Sequence, residues 1–350
     1  MQTSLSARLT VELDALNRNW AALDALSPPE CLTAAVVKGN GYGCGLVEVG
    51  QALARDGVET FFVAVPAEGA ILREAIGPDP TIYILGGYGR AEQFEYRIHN
   101  LRPVLNSARQ AMDWFEDENA PCAVQIDTGM NRLGMEAAEF RSLGHPLPPT
   151  VGLIMSHMGN ADAPGDPLNE AQLDAFQRLC APHAQARSLA ATAGTLLGAE
   201  YRFDMVRAGI GLYGGWPHTG ARRVVTVEAP VIQIRDLDYG ETVGYGATWT
   251  ANRPSRIATI SAGYADGLIR AIGEGTATAY IHGQPAPFAG RVSMDLITLD
   301  VTQIPCAAGD PVELIGPNQS IDDIARSAGT IGHEILTSLG SRYTRTYIGE

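Results

Sequence analysis

Across residues 33–212 the chain repeats one pattern eight times: a short apolar, β-branched run followed by a helix-length segment. The runs lie at 33–38, 60–65, 81–85, 102–105, 123–127, 150–157, 187–191 and 205–212, with helical stretches such as 46–55, 67–75, 91–100, 107–116 and 169–186 between them. Nearly continuous apolar runs separated by helices predict strands buried on both faces, which is the condition of a parallel sheet. Eight such units in about 200 residues predict a closed (β/α)8 barrel, with a doubly wound open sheet as the alternative.

The pattern changes near residues 214–222. Beyond them come short strands at close spacing, 224–232, 242–247, 256–260, 277–281, 296–301 and 311–315, parted by turn residues such as His282-Gly283 and Ala308-Gly309-Asp310. That spacing predicts a mostly β second domain. The expected organisation is therefore α/β: a barrel over 8–215, then a β-rich domain over 216–350 that residues 1–7 can join.

Charge and cysteine usage narrow the partners. A net charge of −14 argues against nucleic acid and against an anionic membrane surface. No apolar run approaches the roughly 18 residues of a membrane span, and residues 1–10 lack a basic-then-apolar signal pattern. The cysteines (Cys31, Cys44, Cys122, Cys180, Cys306) are scattered and show no CxxC spacing, so neither a disulfide framework nor a zinc site is expected. The expected setting is the cytoplasm.

Of 25 basic residues only one, Lys38, is a lysine. Arginine bias by itself can reflect coding composition. Its exception is informative, because a guanidinium stays protonated and cannot form a Schiff base at neutral pH, whereas an amine can. Lys38 ends the first predicted strand in Val36-Val37-Lys38-Gly39-Asn40-Gly41-Tyr42-Gly43, and barrel active sites gather at that end. The lysine precedes its glycines, so the segment is not a phosphate-binding P-loop.

This segment resembles the cofactor-lysine motif of bacterial alanine racemases. The similarity continues in order through Asp127-Thr128-Gly129-Met130-Asn131-Arg132-Leu133-Gly134, Ser156-His157 and Phe203-Asp204-Met205-Val206-Arg207-Ala208-Gly209-Ile210. In the second domain it runs through Gly244-Tyr245-Gly246-Ala247-Thr248, Gly263-Tyr264-Ala265-Asp266-Gly267 and Gly290-Arg291-Val292-Ser293-Met294-Asp295.

The resemblance implies pyridoxal 5'-phosphate as cofactor, an amino-acid substrate, and a homodimer whose active sites are shared between subunits. It implies that Lys38 carries the cofactor and that Lys38 and the partner subunit's Tyr264 act as opposed acid/base groups. Racemisation removes a proton from one face of the α-carbon and delivers one to the other, which suits two such groups. A tyrosine, ordinarily of pKa about 10, needs a shift or a charged neighbour to serve as a base. Arg207 would face the pyridine nitrogen and disfavour its protonation, the alternative being a structural ion pair with Asp204. His157 would hydrogen-bond the cofactor or that arginine. Tyr42, Thr192 and the amides of Gly209 and Ile210 would hold the phosphate. Arg132 and the Met294 amide would hold the substrate carboxylate. No metal is implied.

Several positions depart from the family pattern. Gly39 and Gly41 replace alanines, Cys44 a histidine, Ala191 an asparagine and Thr192 a serine. Gln125 stands where many relatives carry a carbamylated lysine that neutralises Arg132; its oxygen can still orient the guanidinium. Ser341 falls where relatives place a tyrosine, a role Tyr343 or Tyr347 can take. The implied reaction is interconversion of L- and D-alanine, supplying D-alanine for peptidoglycan. Alternatives are a serine or broad-specificity racemase, a fold-related decarboxylase, and a cofactor-carrier protein. The carrier lacks a second domain, and the decarboxylase sets an acid at the ring nitrogen where this chain has Arg207.

Overall fold

All eight predicted barrel strands form. The computed structural model describes residues 6–273 and 277–349. After the first strand, β1 (Arg8–Glu12), the barrel strands are β2 (Leu32–Val36), β3 (Thr60–Val63), β4 (Thr81–Ile84), β5 (Arg102–Leu105), β6 (Cys122–Gln125), β7 (Val151–Met155), β8 (Ala186–Ser188) and β9 (Met205–Ala208). Each pairs in parallel with its neighbour in sequence, and β2 pairs in parallel with β9. Between β8 and β9 the circle closes through a parallel bridge of Ala191 with Arg207, with Arg207 N–H donating to the Ala190 carbonyl at 3.0 Å. The sheet is a barrel, and the open-sheet alternative falls away.

Burial on both faces explains the strand composition. Every residue of Thr60–Val63, Cys122–Gln125 and Met205–Ala208 is buried. Each Phe or Val so buried contributes about 1.5–3 kcal/mol of hydrophobic stabilisation. The intervening helices start on local signals: Ser107 accepts from Gln110 N–H, and Asp166 from Leu168 N–H, at their N-caps.

The second unit is mostly β. Its strands are β10 (Val225–Leu237), β11 (Thr242–Val243), β12 (Trp249–Thr250), β13 (Ser255–Ile260), β14 (Thr278–Ile281), β15 (Gln284–Pro287), β16 (Ile297–Asp300), β17 (Pro311–Ile315) and β18 (Thr344–Ile348). One sheet runs β15-β14-β17-β10-β1-β18, with β13 beside β10 and β16 beside β13; β11 and β12 form a separate hairpin. Two helices, Ile321–Ala328 and Gly332–Ser338, interrupt the β pattern near the carboxyl end.

The chain divides into Met1–Ala15, Tyr213–Trp216 and Arg222–Glu350 on one side, and Leu16–Leu212 with Pro217–Ala221 on the other. Here the structure differs from the expected boundary at residue 8. β1 belongs to the β-rich unit, antiparallel to β10 and parallel to β18. Its sequence Arg-Leu-Thr-Val-Glu buries Leu9 and Val11 fully while alternate residues face outward. That one-sided burial belongs to a sheet with a solvated face, not to a barrel strand. Of the residues expected to join this unit at the amino terminus, 1–5 lie outside the described residues. The predicted strand 242–247 is also cut short, because Gly244, Gly246 and Ala247 take left-handed conformations and turn the chain after Val243. Among the described residues no helix is long and apolar enough to cross a membrane.

Candidate active site

Lys38 follows the carboxyl end of β2, and the backbone there is unusual. Five successive residues, Gly39, Asn40, Gly41, Tyr42 and Gly43, have φ between 52° and 77°, making a left-handed turn. It is closed by Gly43 N–H to the Gly39 carbonyl at 2.8 Å and Gly45 N–H to the Asn40 carbonyl at 2.9 Å. A residue with a Cβ costs about 1–2 kcal/mol in that conformation. The glycines at 39, 41 and 43 remove that strain at three of the five positions.

Lys38 is exposed by surface area, yet the protein around its amine strips part of its hydration. Loss of hydration is the largest influence and lowers the amine's pKa; Arg132 lowers it further, Glu68 opposes, and Arg207 adds a smaller downward push. A lysine so perturbed is closer to the neutral form that can attack a carbonyl.

Arg207, in β9, is buried at 3% exposure. Its Nη1 donates to the Ser188 carbonyl (3.0 Å) and hydroxyl (2.6 Å); its Nη2 donates to the carbonyls of Ser156 (2.7 Å) and Leu189 (3.3 Å). Desolvation lowers its pKa to about 10, which still leaves it charged at neutral pH. Asp204 does not pair with it. That carboxylate accepts from the backbone N–H and Nε of Arg187 instead, at 2.8 and 3.2 Å. The ion-pair alternative is thereby replaced by a buried cation held, among the described residues, by neutral acceptors.

His157 Nδ1 lies 3.4 Å from Arg207 Nη2, long for a hydrogen bond. A guanidinium has only donors, so Nδ1 is the acceptor and the ring proton sits on Nε2. Burial first, then Arg207, Arg132 and Lys38, lower the His157 pKa to about 3. The ring is neutral. Its carbonyl accepts from Gln172 Nε2 at 3.0 Å, and the same amide reaches Thr128 Oγ1 at 3.2 Å, which in turn contacts Ser156 Oγ at 2.8 Å.

Arg132 is exposed on the loop after β6. Asp127 Oδ1 shapes that loop by accepting from the N–H groups of Gly129, Met130 and Asn131 at 2.9, 3.0 and 3.2 Å. Gln125, buried, donates Nε2 to the Leu133 carbonyl at 2.9 Å. It fixes the backbone next to Arg132 and, among the described residues, makes no bond to the guanidinium, contrary to the expectation that it orients that group directly.

Tyr42, Thr192, Gly209 and Ile210 gather at the ends of β2, β8 and β9. A Cβ on Gly209 would lie 2.7 Å from Tyr42 Oη, so only glycine leaves room for the phenol against this backbone. Tyr42 is buried, which pushes its pKa up to about 12 and keeps it a donor. Thr192 Oγ1 accepts from the N–H groups of Gly209 (3.0 Å) and Gly211 (3.3 Å). Those two bonds occupy the oxygen's lone pairs and leave its own proton to donate. The Gly209 amide, expected to bind phosphate, donates in this structure to the threonine hydroxyl. Two hydroxyl donors beside a glycine backbone suit a phosphate monoester.

In the β-rich unit, Tyr264 opens a short 3-10 turn, Tyr264–Asp266, with its side chain exposed. Tyr264 N–H donates to the Ser293 carbonyl at 3.0 Å, and Ala265 N–H to the Met294 carbonyl at 2.9 Å. A Cβ on Gly263 would fall 2.4 Å from the Met294 carbonyl oxygen, so glycine permits this approach. The turn therefore holds Tyr264 beside the exposed Met294. Asp266 is buried and receives both Nε and Nη2 of Arg342 at 2.8 and 2.9 Å, while Arg342 Nη1 reaches Asp295 at 2.7 Å. The aspartates were visible within motifs; their clamp by Arg342, 76 residues away from Asp266, was not. Ser341 is exposed, Tyr347 half-buried, and Tyr343 buried with its hydroxyl unpartnered among the described residues.

Two family models match: "Alanine racemase, N-terminal domain" over residues 11–217 and "Alanine racemase, C-terminal domain" over residues 224–347. A relative from Ruegeria sp. (strain TM1040) named alanine racemase is 50% identical over 345 residues, 98% of this chain and 99% of its own. A solved alanine racemase from Bartonella henselae, with covalently bound pyridoxal phosphate, superposes with a TM-score of 0.94 at 36% identity, covering 99% of this chain and 100% of that one. A biosynthetic alanine racemase from Pseudomonas aeruginosa gives 0.92 at 35% identity, covering 99% and 100%.

Proposed function

The chain belongs to the alanine racemase family, and from that premise we propose that it interconverts L- and D-alanine using pyridoxal phosphate carried on Lys38. The residues of the barrel mouth fit this cofactor: an amine of lowered pKa, a hydroxyl-lined cradle at Tyr42, Thr192, Gly209 and Ile210, and a buried cation at Arg207. When bound, the cofactor supplies the electron-withdrawing system that acidifies the substrate's α-hydrogen.

The protein's own groups do the rest. Lys38, freed by substrate, takes or returns the proton on one face of the α-carbon, and the partner subunit's Tyr264 does so on the other. Arg132 and the Met294 amide hold the substrate carboxylate. The observation that carries the reading is Arg207, a buried guanidinium whose hydrogen bonds go to neutral acceptors. Beside a ring nitrogen, such a charge disfavours protonation and limits charge drain into the ring, which suits racemisation and opposes transamination and decarboxylation.

The product would serve peptidoglycan synthesis in the cytoplasm, and the five free cysteines are consistent with a reducing compartment. The reading is tested by assaying the purified chain on the enantiomers of alanine, serine, lysine and arginine, and by rescue of a D-alanine-requiring bacterium. Preferred turnover of alanine with rescue is expected. Turnover of serine, lysine or arginine above that of alanine would overturn it.

A further inference from the structure

Glu68 begins as an ordinary helix-start residue. It lies in the first turn of the helix Pro66–Ile76, where an acid complements the helix dipole and can reach back to a free backbone N–H. Its Oε2 does so, accepting from Ala64 N–H at 3.0 Å. The other oxygen leaves its own helix and crosses to the preceding strand–helix loop, accepting from Gly39 N–H at 2.7 Å and Asn40 N–H at 3.2 Å. One carboxylate therefore binds three backbone N–H groups from two loops, and two of the three are the first donors after Lys38.

We propose that Glu68 is a positioning residue for Lys38, tying down the start of the left-handed turn and so setting the direction in which the lysine leaves β2. The turn needs such a restraint in this chain. Glycine at 39 and 41 relieves backbone strain but multiplies the conformations open to the segment. Gly39 adjoins Lys38, so freedom there passes directly to the amine. Consecutive N–H groups at the start of such a turn form a concavity that favours an anion, and Glu68 fills it.

Charge adds a second effect. The charges that bear on the Lys38 amine are Arg132 and Arg207, which lower its pKa, and Glu68, which raises it; the nearby His157 ring is neutral. Glu68 is the acid that moderates the pull of the two guanidiniums, keeping the amine able to alternate between its proton-bearing and proton-free states.

The proposal rests on Lys38 being the working amine, and its test separates the two claims. The full-length chain is labelled at lysine Cε with carbon-13 and stripped of cofactor; its one lysine gives one lysine resonance to titrate. Glu68→Gln keeps an acceptor for Gly39 but removes the charge; Glu68→Ala removes both. Both variants should titrate Lys38 at lower pH than the parent. Glu68→Ala should also broaden the resonance and, when reloaded with cofactor, lose on the order of 10- to 100-fold in kcat with a smaller change in KM, while Glu68→Gln loses less. If Glu68→Ala does not fold, the titration of Glu68→Gln decides alone. A parent chain that fails to racemise alanine but shows the titration shifts would sink the activity and support the hold of Glu68 on Lys38. Titration curves coincident with the parent in the folded variants would overturn the proposal.

Discussion

His157 and Arg207 meet at 3.4 Å as a neutral ring facing a permanent cation. The arginine forces the imidazole to present its unprotonated nitrogen, so the histidine serves as an acceptor and not as a titrating acid in the working pH range. Its folded pKa, about 3, is below its unfolded value of about 6.5. Between those values the unfolded chain binds more protons at this site, so His157 contributes stability that is present above about pH 6.5 and lost as pH falls toward 3. Urea midpoints should fall more between pH 7 and pH 5 in the parent than in His157→Asn. Equal pH slopes would show that the ring is not held neutral.

Arg207→Glu should lower racemisation by on the order of 100-fold or more and raise pyruvate formation from alanine, because a carboxylate favours a protonated ring nitrogen where a guanidinium opposes it. The substitution also leaves the Ser188 and Ser156 carbonyls without their donors, at about 1–3 kcal/mol each. Chromatography of the products checks the first effect and thermal unfolding the second. An unchanged product ratio would place Arg207 away from the ring.

Borohydride treatment of the cofactor-loaded protein should fix the cofactor at Lys38, the single lysine of the chain. Peptide mass spectrometry reads the site. An adduct confined to the amino-terminal amine would contradict the assignment.

The Gly263 turn offers a prediction independent of the cofactor cradle. Gly263→Ala would set a methyl 2.4 Å from the Met294 carbonyl oxygen, forcing the two loops apart and moving Tyr264. Cofactor loading should remain at parent level while kcat falls on the order of 100-fold, since small displacements of a proton-transfer group are costly. Parent-like kcat in a loaded variant would show that the Gly263 turn does not govern the reaction.

How much of this was legible in the sequence depended on whether the signal was local. The barrel was, because strands such as Thr60–Val63 are buried on both faces and sit between helix-length segments. β1 was not assigned to its sheet, although the alternation of Leu9 and Val11 with Arg8 and Thr10 carries the period of a one-sided strand. β15 was hidden by Pro285 and Pro287, residues that a sheet tolerates where no ladder bond is needed. Lys38 was legible because lysine occurs once. The clamp of Asp266 by Arg342 and the reach of Glu68 to Gly39 join residues distant in sequence, and neither side chain differs locally from a surface charge. Asp204 was misleading for a related reason: its closeness in sequence to Arg207 suggested a pair, yet β-strand alternation aims the two apart and Arg187 on the neighbouring strand takes the carboxylate.

In the proposed enzyme, Lys38 of one subunit works with Tyr264 of another. Lys38→Ala and Tyr264→Phe homodimers should each be nearly inactive, since each lacks one proton-transfer group at every site. Unfolding the two together and refolding them should give mixed dimers in about half of the pairings, each with one doubly damaged and one intact site, so about a quarter of all sites should be restored. Recovery near that fraction, with mixed dimers verified by mass, is the predicted result; no recovery in verified mixed dimers would place both groups in one chain and contradict the shared site.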